Sequence, residues 1–284
     1  MANISEVVRR KVANWSVTAV RNDGSFASKP DVLVTEEPLE IRAESATQEA
    51  QPVAVTMRTP GHDFELAAGF LFTEGMIKNS GDVRTVRYCQ LPDAAEQQFN
   101  VVTVSLSTAF DEALSRRGMV TSASCGICGT TSIEQLAQIT SAIDLATGPV
   151  VTSKMLTQMP DIIRKAQPTF DRTGGLHAAG LVDANGDAYC VREDIGRHNA
   201  VDKVIGKAVL ESLVPLSNHV LVVSGRLSFE IIQKAAMAGI AFIAAVGAPS
   251  NLAVQTAESL GITVVGFVRD GTANIYTHKH RIIT

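Results

Sequence analysis

Between residues 219 and 268 the chain alternates short apolar runs with stretches of helical pattern, and no other feature restricts its fold as much. Residues 219–224, 240–246 and 262–268 read as strands, with helices expected over 228–238 and 250–260 between them. Gly239 and Gly261 stand where those helices should stop, because glycine accepts the left-handed turn that ends a helix. Apolar strands separated by helices of this length imply right-handed crossovers and a sheet with parallel strands. Upstream, residues 176–183 and 187–191 are joined by Ala184-Asn185-Gly186, a hairpin signal. A helix is expected over 197–213, with Val201, Val204, Ile205, Ala208 and Val209 on one side, and residues 274–278 close the chain as a strand.

The first third reads differently. Residues 15–20, 31–35, 52–59 and 100–106 are strand candidates, and Asp63 and Glu65 open an apolar helix ending near Phe72. The expected division is a small α+β domain over 1–110, a connecting loop and helix over 111–148, and an α/β domain over 149–284. Thr131 and Glu134 form a capping box for the connecting helix, and a further short helix is expected near 159–166.

A net charge of −4 gives no general basic footprint for nucleic acid, although local arginines and helix starts can still bind phosphates. The most apolar stretch, residues 240–247, is far too short to span a bilayer, and the first residues have no apolar core of signal-peptide length. A cytoplasmic protein is expected. Its four cysteines, Cys89, Cys125, Cys128 and Cys190, then lie in a reducing compartment, where a close pair of thiols is chemical or metal-binding rather than structural.

That pair is Cys125-Gly126-Ile127-Cys128, set among Ser, Gly and Thr residues and expected on an exposed loop. A helix starting just after it would lower a thiol pKa and raise the fraction of thiolate, the form that attacks sulfane sulfur. Structural zinc needs four ligands, usually two such pairs, and here there is one; Cys89 and Cys190 are isolated, each following a tyrosine in a strand-like stretch. The spacing alone leaves redox chemistry, sulfur transfer and metal binding open.

Two further sets of residues suggest a ligand edge. Parallel sheets gather ligands at the carboxyl ends of their strands. Those ends are Ser224-Gly225-Arg226-Leu227-Ser228, Gly247-Ala248-Pro249-Ser250 and Phe267-Val268-Arg269-Asp270-Gly271-Thr272, with serines at two helix starts and arginines for an anion. A polar run, Arg192-Glu193-Asp194-Ile195-Gly196-Arg197-His198-Asn199, lies where a helix begins; His198 and Asp202 are spaced to share a face, and His177 in Gly174-Gly175-Leu176-His177 adds a further candidate.

Taken together, Ser124 to Gly129, Gly174 to Ala179, Glu193 to Lys203, Ser224-Gly225-Arg226 and Asn274-Ile275-Tyr276 resemble the FdhD/NarQ family, the formate dehydrogenase accessory sulfurtransferases. The resemblance implies a sulfurtransferase that takes persulfide sulfur from a cysteine desulfurase. It would pass the sulfur to the molybdenum cofactor, in its bis-molybdopterin guanine dinucleotide form, before that cofactor enters formate dehydrogenase. Cys125 would carry the persulfide and Cys128 would assist. Phe267, Val268, Arg269, Asp270, Gly271 and Thr272 would bind the cofactor, with His177, Arg197, His198, Gly225, Arg226 and Ser228 as further edge residues. Family members often have a second basic residue where this chain has Thr272. The resemblance also implies a homodimer and a C-terminal domain similar to cytidine deaminases, a three-layer sandwich without their zinc site. Zinc deaminases carry a His/Cys-x-Glu segment and a Pro-Cys-x-x-Cys segment, and neither is present. Two rival readings are a cofactor chaperone whose thiols only clamp a ligand or partner, and a zinc-stabilised interaction protein.

Overall fold

The computed structural model describes residues 11–89, 99–110 and 142–284. Cys125, Cys128 and residues 111–141 of the connecting segment, where the helix from Thr131 is expected to start, lie outside the described residues.

Strands β1 (Val12–Val20) and β2 (Phe26–Val34) pair antiparallel as a two-stranded ribbon that leaves Trp15, Val20 and Phe26 exposed. Next come β3 (Glu37–Ser45), β4 (Gln48–Arg58), helix α1 (Asp63–Thr73), β5 (Val83–Tyr88) and β6 (Val101–Leu106). The four strands form one sheet in the order β4-β3-β6-β5, with β3 and β6 parallel. In β3 the alternation is strict: Leu39, Ile41 and Ala43 are buried, while Glu40, Arg42 and Glu44 are not.

The C-terminal half begins with β7 (Val151–Thr152), α2 (Ser153–Arg164) and α3 (Pro168–Thr173). Strands β8 (His177–Val182) and β9 (Ala188–Asp194) form the expected hairpin, whose turn is closed by Asp183 accepting from Asn185 N–H at 2.8 Å and Asp187 N–H at 2.9 Å. Helix α4 (Arg197–Leu210) leads to the alternating region: β10 (Val220–Val223), α5 (Phe229–Met237), β11 (Phe242–Ala245), α6 (Asn251–Leu260) and β12 (Thr263–Arg269). Strands β13 (Thr272–Ile275) and β14 (Ile282–Ile283) finish the chain. Gly239 and Gly261 have φ of 70° and 73°, and the following amides, Ile240 and Ile262, turn back to Ala235 and Ala257 carbonyls. Those are the helix stops the glycines predict.

The six-stranded sheet runs β13-β12-β11-β10-β8-β9. β10, β11 and β12 are parallel as expected, but β8, β9 and β13 run antiparallel to their neighbours, so the sheet is mixed. Period-two alternation sorts its side chains into two layers. Val220, Val222, Phe242 and Ala244 pack with Leu156, Met159 and Ile163 of α2, whereas Leu221, Val223 and Ile243 pack toward α4, α5 and α6. The second core is continuous with Leu39, Ile41, Leu66 and Val102 of the first third.

Helices α1 and α4 make that continuity. A Cβ at Gly69 would sit 1.9 Å from the Asp202 carbonyl oxygen, and one at Gly206 only 1.8 Å from the Glu65 carbonyl oxygen. The two backbones therefore touch, which only glycine allows. Beside this crossing Arg192, on β9, reaches Glu65 of α1 with two hydrogen bonds of 2.5 and 2.7 Å.

Candidate functional site

The polar run from Glu193 to Lys203 divides into two groups with different jobs. Glu193 accepts the amides of Thr169 and Phe170 at 3.1 and 2.7 Å and so caps α3. Asp194, fully buried, faces Lys203 Nζ at 2.6 Å and accepts hydrogen bonds from Thr59 N–H, Gly196 N–H and Asn199 Nδ2. Lys203 also donates to the Thr59 carbonyl, and Asn199 donates to the Met57 carbonyl and accepts from Thr56. These bonds tie β9 and α4 to the end of β4. A buried pair surrounded by donors and acceptors in this way avoids leaving a charge uncompensated in the core.

Asp202, spaced to share a helical face with His198, belongs to the same class as Asp194 and takes other partners. Its carboxylate accepts from Thr73 Oγ1 at 2.8 Å and lies 2.9 Å from Lys234 Nζ. His198 instead places Nε2 3.1 Å from Ser228 Oγ and 3.8 Å from Glu230 Oε2. Ser228 stands at the start of α5 as expected, but its hydroxyl makes no cap bond to that helix. Ser250 does cap α6, accepting from Ala253 N–H at 3.2 Å.

Arg197 and His198 are thus what the run contributes to the strand edge. Gly225 brings the second contribution: a Cβ there would lie 3.2 Å from His177 Nδ1 and 3.9 Å from Arg197 Cβ, so β8, the β10–α5 turn and the start of α4 meet at this point. Arg197 Nε is buried and has no hydrogen-bond partner among the described residues. Burial lowers the His177 pKa below its ordinary value, and the Arg197 and Arg226 charges lower it further. Burial, with Arg197 and Lys234, brings His198 down to about 4. Both imidazoles are therefore neutral near pH 7, beside two guanidinium groups.

The three turns at the carboxyl ends are joined by backbone bonds. Gly247 N–H donates to Gly225 O, Leu227 N–H to Ala248 O, Ser250 N–H to Leu227 O, and Phe267 N–H to Gly247 O. Gly247 is needed for this closeness, since a Cβ would fall 2.7 Å from Gly225 O. The stretch Phe267 to Thr272 starts at a bulge in β12, with positive φ at Phe267, Asp270 and Gly271. Arg269, Asp270, Gly271 and Thr272 are exposed, the Arg269 guanidinium lies 5.5 Å from the Phe267 ring centroid, and Thr272 Oγ1 donates to the Arg269 carbonyl. Val268 is buried in the core against α2, so only its backbone faces the edge. His177, Arg197, His198, Gly225, Arg226 and Ser228 form one neighbourhood, to which Phe267 is joined through Gly247. Cys125 and Cys128 lie outside the described residues, and Cys190 is a buried core residue on β9 whose thiol is pushed up to about 12 by burial. Sequence reasoning missed Glu230, which sits two residues after Ser228 and shares its hydroxyl.

Comparison with known proteins decides the family. The family model described as FdhD/NarQ matches residues 34–283. The chain belongs to this family. It is 48% identical over 262 residues to a protein of Mycolicibacterium paratuberculosis named sulfur carrier protein FdhD, covering 91% of this chain and 94% of the relative. A protein of the same name from Streptomyces coelicolor is 46% identical, with 92% of each chain covered. Another from Sulfurisphaera tokodaii is 39% identical over 96% of this chain and 100% of the relative. A solved structure from Desulfotalea psychrophila, described as a formate dehydrogenase accessory protein, superposes with a TM-score of 0.74 at 22% identity. It covers 96% of this chain and 100% of that one, and the likeness bears on the fold. Among the described residues no helix is long and apolar enough to cross a membrane.

Proposed function

We propose that this chain is a cytoplasmic sulfurtransferase serving formate dehydrogenase. Membership of the FdhD/NarQ family, whose curated relatives are named as sulfur carriers, carries the reading. The Cys125 thiolate attacks the terminal sulfur of a persulfide on a cysteine desulfurase and displaces the desulfurase thiolate, leaving a persulfide on Cys125. Cys128 then attacks the inner sulfur of that persulfide. The outer sulfur leaves as hydrosulfide with the electron pair, a Cys125–Cys128 disulfide remains, and a cellular dithiol reductant resets it. The acceptor is the bis-molybdopterin guanine dinucleotide form of the molybdenum cofactor, bound as cargo.

The strand edge supports that cargo. Its guanine dinucleotide part carries phosphates, and the edge offers Arg197, Arg226 and Arg269 with the start of α4. The cargo-binding stretch is assigned to Phe267 to Thr272, where Thr272 supplies a hydroxyl and Arg269 is the cation. The C-terminal sheet, with α2 on one face and α4, α5 and α6 on the other, is read as cytidine-deaminase-like without zinc. Zinc deaminases carry His/Cys-x-Glu and Pro-Cys-x-x-Cys segments at their metal site. The segments here that match them best are Ser228-Phe229-Glu230 and Pro249-Ser250-Asn251-Leu252-Ala253, so serines and an alanine replace metal ligands while the carboxylate remains. The protein is read as a homodimer.

The test is complementation. In cells lacking the protein, the wild-type chain is expected to restore formate dehydrogenase activity and Cys125→Ala to restore none. Full activity with Cys125→Ala would exclude the carrier role and favour a cofactor chaperone.

A further inference from the structure

Three basic side chains meet at the edge, and the carboxylates whose charges reach them, Asp194 on His177 and Glu230 on Arg197, form no salt bridge with them among the described residues. Among the described residues, neither Arg197 nor Arg226 forms an ion pair, the His177 ring makes no hydrogen bond, and Arg197 Nε is buried and unpartnered. This occurs in a chain with 29 acidic and 25 basic residues, where carboxylates are plentiful. A half-buried imidazole held only for packing would normally have a partner. The carboxylate whose charge acts on His177 is Asp194, and that group is already paired with Lys203. Gly196, the residue before α4, provides no side-chain cap to the first-turn amides of that helix.

We propose that His177, Arg197 and Arg226, with the first turn of α4, form a pocket for a doubly charged oxyanion such as a phosphate group, and that filling it draws a solvent proton onto His177. The source of the phosphate rests on the function proposed above; the pocket does not. The charges that reach His177 are those of Arg197 from α4, Arg226 from the β10–α5 turn and Asp194 at the end of β9, while Glu230 of α5 acts on Arg197. His198, the next imidazole, faces Arg197, Lys234, Glu230 and His177. Both rings are then more stable neutral. A dianion placed among these groups reverses the sign of the local field, and an opposite charge at such range raises a pKa by about one to three units. Protonated, His177 donates from both ring nitrogens, so the anion gains a further charged donor. Binding and protonation favour each other by the same factor.

Sulfate is the probe, because it stays dianionic across the range in which histidine titrates. The titration midpoint of His177 is read by NMR of histidine-labelled protein, with His177→Gln for assignment. Saturating sulfate is expected to raise that midpoint by about one unit or more. Sulfate affinity is expected to fall as much as about tenfold per pH unit above the free midpoint. Arg226→Gln, exposed and outside the core, is expected to weaken sulfate binding and to raise the midpoint in the free protein. A His177 midpoint unmoved by saturating sulfate, or sulfate binding unchanged in both Arg226→Gln and Arg197→Gln, would overturn the proposal. GDP and inorganic phosphate, titrated in parallel, separate the sources: tighter GDP binding assigns the pocket to a nucleotide diphosphate, equal binding to a free ion, and binding of neither refutes it. If wild-type protein fails to load sulfur on Cys125 yet shows the sulfate response, the carrier reading falls and the pocket stands.

Discussion

Replacing Gly206 by alanine tests the claim that the two halves are locked through the α1–α4 crossing. The added Cβ would lie 1.8 Å from the Glu65 carbonyl oxygen and 2.7 Å from the Gly69 amide nitrogen. An ordinary carbon–oxygen contact is about 3.3 Å, so roughly 1.5 Å must be found by moving one helix off the other. The obstacle is backbone on both sides, so no side chain can swing away. Overpacking costs typically about 1–3 kcal/mol and more where nothing yields, while alanine in a helix returns about 1 kcal/mol over glycine. Parting the helices also stretches the Thr73–Asp202 bond that crosses the same interface. The net expectation is a loss of about 3 kcal/mol, or about 6–12 °C in Tm for a chain of this size. Thermal unfolding followed by circular dichroism at one scan rate measures it. Gly81→Ala, with nothing within 4 Å of its Cβ, is the control and should be nearly silent. A Gly206→Ala protein within about 2 °C of wild type would refute the close crossing.

Other consequences follow from the same contacts. Lys203→Met leaves Asp194 buried without its partner and is expected to cost about 3–5 kcal/mol, measured by denaturant unfolding; a cost below about 1 kcal/mol would show that the pair is not buried as described. Glu65 is pushed up by burial, but hydrogen bonds from Arg192 and His62 outweigh that and hold it at about 2. Because the folded pKa lies below the unfolded one, this stabilisation, about 3 kcal/mol, is present above pH 4.5 and is lost as pH falls toward 2. Glu65→Gln should flatten the acid limb of a stability–pH curve, and an unchanged limb would contradict the assignment. Cys190 should resist alkylation at pH 8 until the chain unfolds, because its thiol is buried and pushed up to about 12; labelling in the folded state at a free-thiol rate would count against it.

The alternating half of the chain was legible because its strands are continuously apolar and its helices end at Gly239 and Gly261. Strand β3 carried an equally regular signal in Leu39, Ile41 and Ala43, but Glu and Arg between them masked it as a polar stretch. The polar run before α4 could be recognised as special, yet its members could not be told apart. Asp194, Asn199 and Lys203 find their partners 135 to 144 residues away in sequence, at Thr59, Met57 and Thr59 again, and no local pattern encodes that. Asp202 reaches Thr73 across 129 residues. The buried Nε of Arg197 has no such partner among the described residues, a difference from those neighbours that sequence does not display. The left-handed conformations of Phe267 and Asp270 were equally invisible, since neither residue type requires them.

The most direct measurement is of sulfur on Cys125. Reduced, full-length protein is incubated with a cysteine desulfurase and cysteine, digested without reductant, and its peptides are weighed. The account predicts one added sulfur on Cys125, absent from Cys190, and removed when a dithiol is added. A Cys125 that stays unmodified while the desulfurase turns over, with Cys128 intact and reduced at the start, would contradict it.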